Sequence, residues 1–221
     1  VENLKFLREG QKNVFSALSF CVLMIVMTKV TFPHLPWDLL LSAEDGPVER
    51  MTAGLWFMVC CWSLAIAGVQ QTSRSEWLAL GGLFLLLGLR ELDAQRWVTG
   101  WFLDKLVNYG NPTIPLTERL FVTGFMIVPA LGIGVVLVRR MWFHMRQGKG
   151  WRSPWMGQIA VGWLIFLVCV LLDKSNFVLG LLGIEGYGFW QREMEEFSEF
   201  VLAAYVVSVL WPYWNEVLFY K

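Results

Sequence analysis

The feature that most limits what this chain can become is the recurrence of apolar runs long enough to cross a membrane. Six are predicted, at about 14–32, 50–69, 77–97, 119–138, 155–173 and 195–214. Each has close to the ~20 residues that an α-helix, rising about 1.5 Å per residue, needs to cross about 30 Å of hydrocarbon. Only 16% of the 221 residues are charged and 56% are hydrophobic, whereas a soluble domain carries about 25% charged residues. The expected fold is therefore all-α, one integral membrane domain over 1–221 built as a six-transmembrane-helix bundle.

Thirteen Trp and sixteen Phe suit a chain with many membrane–water boundaries, where amphipathic rings sit well. The net charge is zero and no basic run is long enough to track phosphates, which excludes nucleic acid as a partner class. Cys21, Cys60, Cys61 and Cys169 all lie inside apolar runs without a C-x-x-C pair, and the two histidines are His34 and His144. That pattern reads as small buried side chains rather than a zinc site or a disulfide framework. The first run, Val14–Phe32, exceeds the 7–15 residues usual in a signal peptide and reads as a retained span. The polar segment before it, residues 1–13, is expected on the membrane surface.

Orientation follows from Lys and Arg. With six spans, one side holds Lys5, Arg8, Lys12, Arg74, Arg139, Arg140, Arg146, Lys149, Arg152 and Lys221, against only Glu2, Glu9, Glu76 and Glu216. The positive-inside rule makes that side cytoplasmic, with both termini on it, in a bacterial inner membrane. The other fourteen of the eighteen carboxylates fall on the outer side or at outer helix ends.

The connections carry local signals. Residues 33–48 have Pro and Gly at both ends and suit an interfacial turn. Trp101, Phe102, Leu106 and Tyr109 recur at helical spacing, so part of 98–117 is expected to lie flat on the outer surface. Residues 177–190, apolar and Gly-rich but too short to cross, suit an interfacial or re-entrant segment. Cys60, Ser63 and Ala67 give the second span a small face for close helix contact, and Ala130 and Gly134 do so for the fourth. Thr117 is the expected N-cap of the fourth span, Pro129 should kink it near Phe125, and Ser153-Pro154 opens the fifth.

The third run, Gly81–Trp97, is apolar for nine residues and then carries Arg90, Glu91, Asp93, Gln95 and Arg96 with no turn signal between. As one helix it would place Arg90, Asp93 and Trp97 on one face and Glu91 with Gln95 on another. In the last run Arg192, Glu195, Glu196 and Glu199 form a narrow acidic stripe. Asp173 ends the fifth run, and Lys29 lies at a similar depth in the first. A charge facing lipid costs roughly 2.5–3.5 kcal/mol on insertion scales, so such groups usually turn inward and pair. At this level stand six acids (Glu91, Asp93, Asp173, Glu195, Glu196, Glu199) and five bases (Lys29, Arg90, Arg96, Lys174, Arg192). An excess of carboxylates at low dielectric calls for a proton, a cation or a cationic ligand.

The candidate ligand-binding residues are Arg90, Glu91, Asp93, Arg96, Asp173, Glu195, Glu196 and Glu199. A bound metal would be an oxygen-ligated divalent cation, Mg²⁺, Ca²⁺ or Mn²⁺; if the arginines dominate, a phosphate or carboxylate headgroup fits instead. The competing reading is a closed salt-bridge network that fixes helix register.

Three short segments, the E-D-G-P-x-E of Glu44–Glu49, the R-E-L-D of Arg90–Asp93 and the E-E-x-x-E of Glu195–Glu199, resemble those of uncharacterised bacterial polytopic inner-membrane proteins. The resemblance implies a membrane architecture and no particular activity. No predicted helix carries the several histidines on which intramembrane metalloproteases and ceramidase-like enzymes rely.

Three functions remain open at this point. The first is an outward-facing pocket that binds or transports a cation, lipid headgroup or small solute. The second is a membrane-embedded enzyme acting on lipid at the outer leaflet, with Glu91 as candidate catalytic general base. The third is a structural subunit or assembly factor. Transport finds no repeat and no pair of broken helices to lean on. Membrane lipids are the expected partners, with a second copy or another subunit of a membrane complex as the protein partner.

Overall fold

The computed structural model describes residues 2–41, 46–71, 73–94, 96, 100, 113–146, 154–181 and 188–219. Every regular element among them is helical: α1 (Glu2–Thr31), α2 (Trp37–Leu41), α3 (Pro47–Val69), α4 (Arg74–Glu91), α5 (Leu116–Val122), α6 (Val128–Arg146), α7 (Pro154–Leu181) and α8 (Gly188–Phe219), with a π-helical turn at Thr123–Ile127 between α5 and α6. Three stretches of the described residues are long and apolar enough to cross a membrane: Lys12–Thr31, Pro47–Val69 and Leu116–Phe143. Gln158–Leu172 is a shorter apolar stretch.

Several boundaries differ from the sequence reading. The polar N-terminal segment is continuous with the first span, because helix formation runs from Glu2 without a break. α7 continues through Asp173 to Leu181, since LLDKSNFV contains neither Gly nor Pro to stop it. The outer surface segment expected at Trp101–Tyr109, the acids Glu44 and Asp45, and residues 182–187 of the re-entrant segment lie outside the described residues. So do Ser153, Gln95 and Trp97.

The start of α5 also differs. Pro115, at φ −56° and ψ 139°, takes the N-cap position in place of Thr117. Its carbonyl accepts from the Glu118 and Arg119 amides at 3.2 and 3.3 Å. The Arg119 guanidinium then donates back to the Ile114 carbonyl through Nε at 3.0 Å and Nη2 at 2.6 Å. Near Phe125, where Pro129 is expected to kink the helix, the structure has the π-helical turn. The Val128 amide reaches five residues back to the Thr123 carbonyl, and Pro129 has no amide with which to resume the α pattern. Thr123 Oγ1 donates to the Arg119 carbonyl at 2.8 Å.

The chain divides into two compact units. The first comprises residues 1–52 and 149–215. In it, α1 buries Ala17, Cys21 and Ile25 at four-residue spacing and packs on α7. Phe20 meets Phe200 of α8 with ring centres 6.4 Å apart. The buried Tyr205 donates its hydroxyl to the Gln158 carbonyl at 3.0 Å, as a tyrosine withdrawn from water requires.

The second unit comprises residues 53–148 and 216–221. Its core is the α3–α4 hairpin, joined by residues 70–73. The buried residues of α4 are Trp77, Gly81, Phe84, Gly88 and Glu91. They step by four, three, four and three, the pattern of a helix seam packed along one neighbour. Trp56 stacks on Phe84 at 5.8 Å. A Cβ placed at Gly81 would stand 2.9 Å from Leu64, and one at Gly88 would stand 2.9 Å from Phe57. These pairs run in opposite directions along the two chains, so the helices are antiparallel and in close contact. The small face expected of the second span is buried at Cys60, Ser63 and Ala67. On another side of α4, a Cβ at Gly82 would stand 3.0 Å from Ile133 of α6.

Candidate functional site

The eight candidate residues divide between the two units. In the second unit, Glu91 occupies the last position of the α4 seam. Its 7% exposure is what helical spacing dictates one turn beyond Gly88. The neighbouring Arg90 points elsewhere, since adjacent helical residues diverge by about 100°. Its side chain is 47% exposed, and Nη1 returns to within 3.5 Å of Glu91 Oε1. The contact joins a buried carboxylate to a half-solvated guanidinium. Such an ion pair contributes little stability by itself, so its significance lies in where it holds the carboxylate.

α4 stops at Glu91, which overturns the reading of Gly81–Trp97 as one uninterrupted helix. Asp93 adopts φ +48°, and its amide donates to the Arg90 carbonyl at 2.9 Å. This is a C-terminal helix ending through a left-handed residue, a role that Gly usually fills and that Asp and Asn tolerate best among the others. The Arg96 amide then donates to the Asp93 carbonyl at 2.7 Å, and the Gly100 amide to the Arg96 carbonyl at 2.8 Å. Arg90 and Asp93 therefore do not share a helical face. Asp93 is half-buried on the turn after α4, and the exposed Arg96 lies beyond it, where the backbone is helical again at Ala94 and Arg96.

In the first unit, Glu195, Glu196 and Glu199 are half-buried along α8. The side of that helix withdrawn from water carries Glu193, Phe200, Ala203, Ala204 and Tyr205 instead. Ser198 Oγ donates to the Glu195 carbonyl at 2.8 Å. The side chain of Asp173 lies outside the described residues. Lys29 is taken out of the pooled charges that the sequence suggested. Its Nζ donates to the carbonyls of Pro33, at 3.3 Å, and of Leu35, and it lies 5.1 Å from the centre of the Trp37 ring. It closes the end of α1, where the helix dipole favours a cation.

Two carboxylates escaped the sequence reading. Glu193 is buried at the start of α8, and its spacing to Phe200, two helical turns on, was the available signal. Glu118 has Oε2 buried without a hydrogen bond; its place in the first turn of α5 offsets part of that penalty through the helix dipole. Nothing in its flanking sequence distinguishes it from an ordinary first-turn acid. Within either unit, among the described residues, no three His, Cys, Asp or Glu side chains gather as a metal ion would need. Comparison with family models, curated proteins and solved structures finds no match for this chain.

Proposed function

We propose that this is a polytopic inner-membrane protein that crosses six times, keeps both ends of the sequence cytoplasmic, and binds or transports a cation, a lipid headgroup or a small solute at its outer side. The observation that carries the reading is Glu91, a carboxylate 7% exposed at the end of a seam made otherwise of Trp, Phe and Gly. A charged group held in such a place is expensive, and in membrane helices it usually serves a ligand or a proton. Arg90, Asp93 and Arg96 supply the adjoining polar rim. Glu195, Glu196 and Glu199 offer an acidic face of their own on α8. An oxygen-ligated divalent cation is the inorganic candidate.

A second reading is favoured by the Arg90–Glu91 contact at 3.5 Å within α4: the charges are neutralised inside the protein, as in a closed salt-bridge network that fixes helix register, and serve no ligand. One experiment separates the two. The full chain in lipid nanodiscs is titrated with Mg²⁺, Ca²⁺, Mn²⁺ and glycerol phosphate, and the unfolding temperature is followed. Ligand binding raises it in the parent protein, and Glu91→Gln abolishes the rise. A parent protein that no probe shifts, together with a Glu91→Gln variant that unfolds earlier in the absence of any probe, establishes the register device instead.

A further inference from the structure

The surface of α6 holds a second, separate feature. A shallow groove of almost wholly apolar lining runs along this one helix, with the half-buried Ala130 and Gly134 at its base, the exposed Leu131, Val135 and Val138 beside them, and Arg139 and Trp142 at its end. Ala130 and Gly134 stand one turn apart, and a Cβ built on Gly134 meets no described atom within 4 Å. The small residue is therefore not filled by the protein's own packing, in contrast to Gly82, which faces Ile133 of this same helix. From Ala130 to Val138 the apolar part of the groove is about 12 Å long at the α-helical rise. One leaflet of hydrocarbon is about 15 Å deep, so most of an acyl chain's length lies along it.

The cationic end decides which occupant fits. Arg139 and Arg146 are exposed, and the Arg146 guanidinium lies 5.0 Å from the centre of the Trp142 ring. Trp is the residue that settles at headgroup depth, and stacking holds the arginine there. A parallel second copy packed face to face along this groove would set Arg139 against Arg139 and Arg146 against Arg146. A phosphodiester headgroup meets the same two cations with opposite charge.

We infer that α6 seats one anionic phospholipid, its acyl chain along Ala130–Val138 and its phosphate between Arg139 and Arg146. The inference rests on Leu116–Phe143 lying in a membrane and is independent of any role for Glu91.

The test uses the full chain released from nanodiscs of mixed dioleoyl phosphatidylglycerol and phosphatidylcholine, with retained lipid counted by native mass spectrometry. The parent protein retains one phosphatidylglycerol with about tenfold or greater preference over phosphatidylcholine, since each surface cation adds about a factor of five. Arg139→Gln with Arg146→Gln, both at exposed positions, removes the preference. Gly134→Leu fills the groove, loses both lipids, and unfolds at the parent temperature or above because its new side chain enters open space. Glu91→Gln keeps the preference. A phosphatidylglycerol preference in the double arginine variant as large as the parent's, or full retention by Gly134→Leu, overturns the seat. So does a disulfide between two copies of a Val135→Cys variant in the bilayer, which makes a second chain the occupant. If alkaline carbonate strips the parent chain from vesicles, membrane embedding itself fails and takes the seat with it.

Discussion

Pro47–Val69 and Leu116–Phe143 are both long and apolar enough to cross a membrane but meet their surroundings in opposite ways. The first has a mean hydropathy of 1.8 and 44% of its apolar window buried; the second has 2.4 and only 6% buried. Water would impose the reverse order, because the more apolar segment gains most from leaving it. Hydrocarbon imposes none, since lipid tails are as apolar as Leu and helices associate through close fit rather than apolarity. The less apolar helix is therefore the packed one, and it is packed through shape: Trp56 on Phe84, and Leu64 and Phe57 on two glycines. The more apolar helix presents Leu131, Val135 and Val138 outward.

Substitutions on the two helices should reproduce that contrast, measured by unfolding in detergent with increasing denaturant. Trp56→Ala is expected to be the most damaging, at about 3 kcal/mol, the lower end for a buried aromatic. An apolar surrounding in place of water would reduce the transfer contribution and leave the cavity. Gly88→Leu comes next, at about 1–3 kcal/mol, because its side chain must displace the Phe57 ring. The contrasting Gly134→Leu stays within about 0.5 kcal/mol of the parent, and equal losses at the two glycines would dissolve the comparison. Asp93→Val is expected to lower stability by about 1 kcal/mol, for a β-branched residue forced into a left-handed turn. Asp93→Gly should restore the parent value or exceed it. If both Asp93 variants behave alike, the turn does not end α4.

Helix type and the apolar stretches are legible in the sequence because they follow from runs such as LFLLLGL and WFMVCCW, where no polar group interrupts the signal. Helix ends are less so. The close of α4 depends on one Asp entering a conformation that its flanking sequence, with neither Gly nor Pro nearby, does not announce. At the other extreme, α1 begins twelve residues before its apolar run does, because polar helix formers continue a helix that tertiary packing has nucleated. The burial of Glu91 could have been read from Trp77, Gly81, Phe84 and Gly88, whose spacing leads to it. The half-exposure of Glu195, Glu196 and Glu199 could not, because Glu196 stands one turn before the buried Phe200 and Glu199 one turn before the buried Ala203, at the margin of the buried side rather than clear of it. Lys29 shows the limit of counting charges. Two backbone carbonyls four and six residues ahead absorb it, and no tally by depth anticipates that.

The π-helical turn at Thr123–Ile127 has a consequence for evolution along this helix. It accommodates one residue more than an α turn would, so every position after it is out of phase by about 100° with those before it. A helical wheel drawn straight from Leu116 to Arg146 assigns the wrong neighbours to half its residues. Removing one residue from the turn, with Pro129 relaxed to an ordinary residue, would rotate Arg139 and Arg146 by more than a quarter of a circle without altering either.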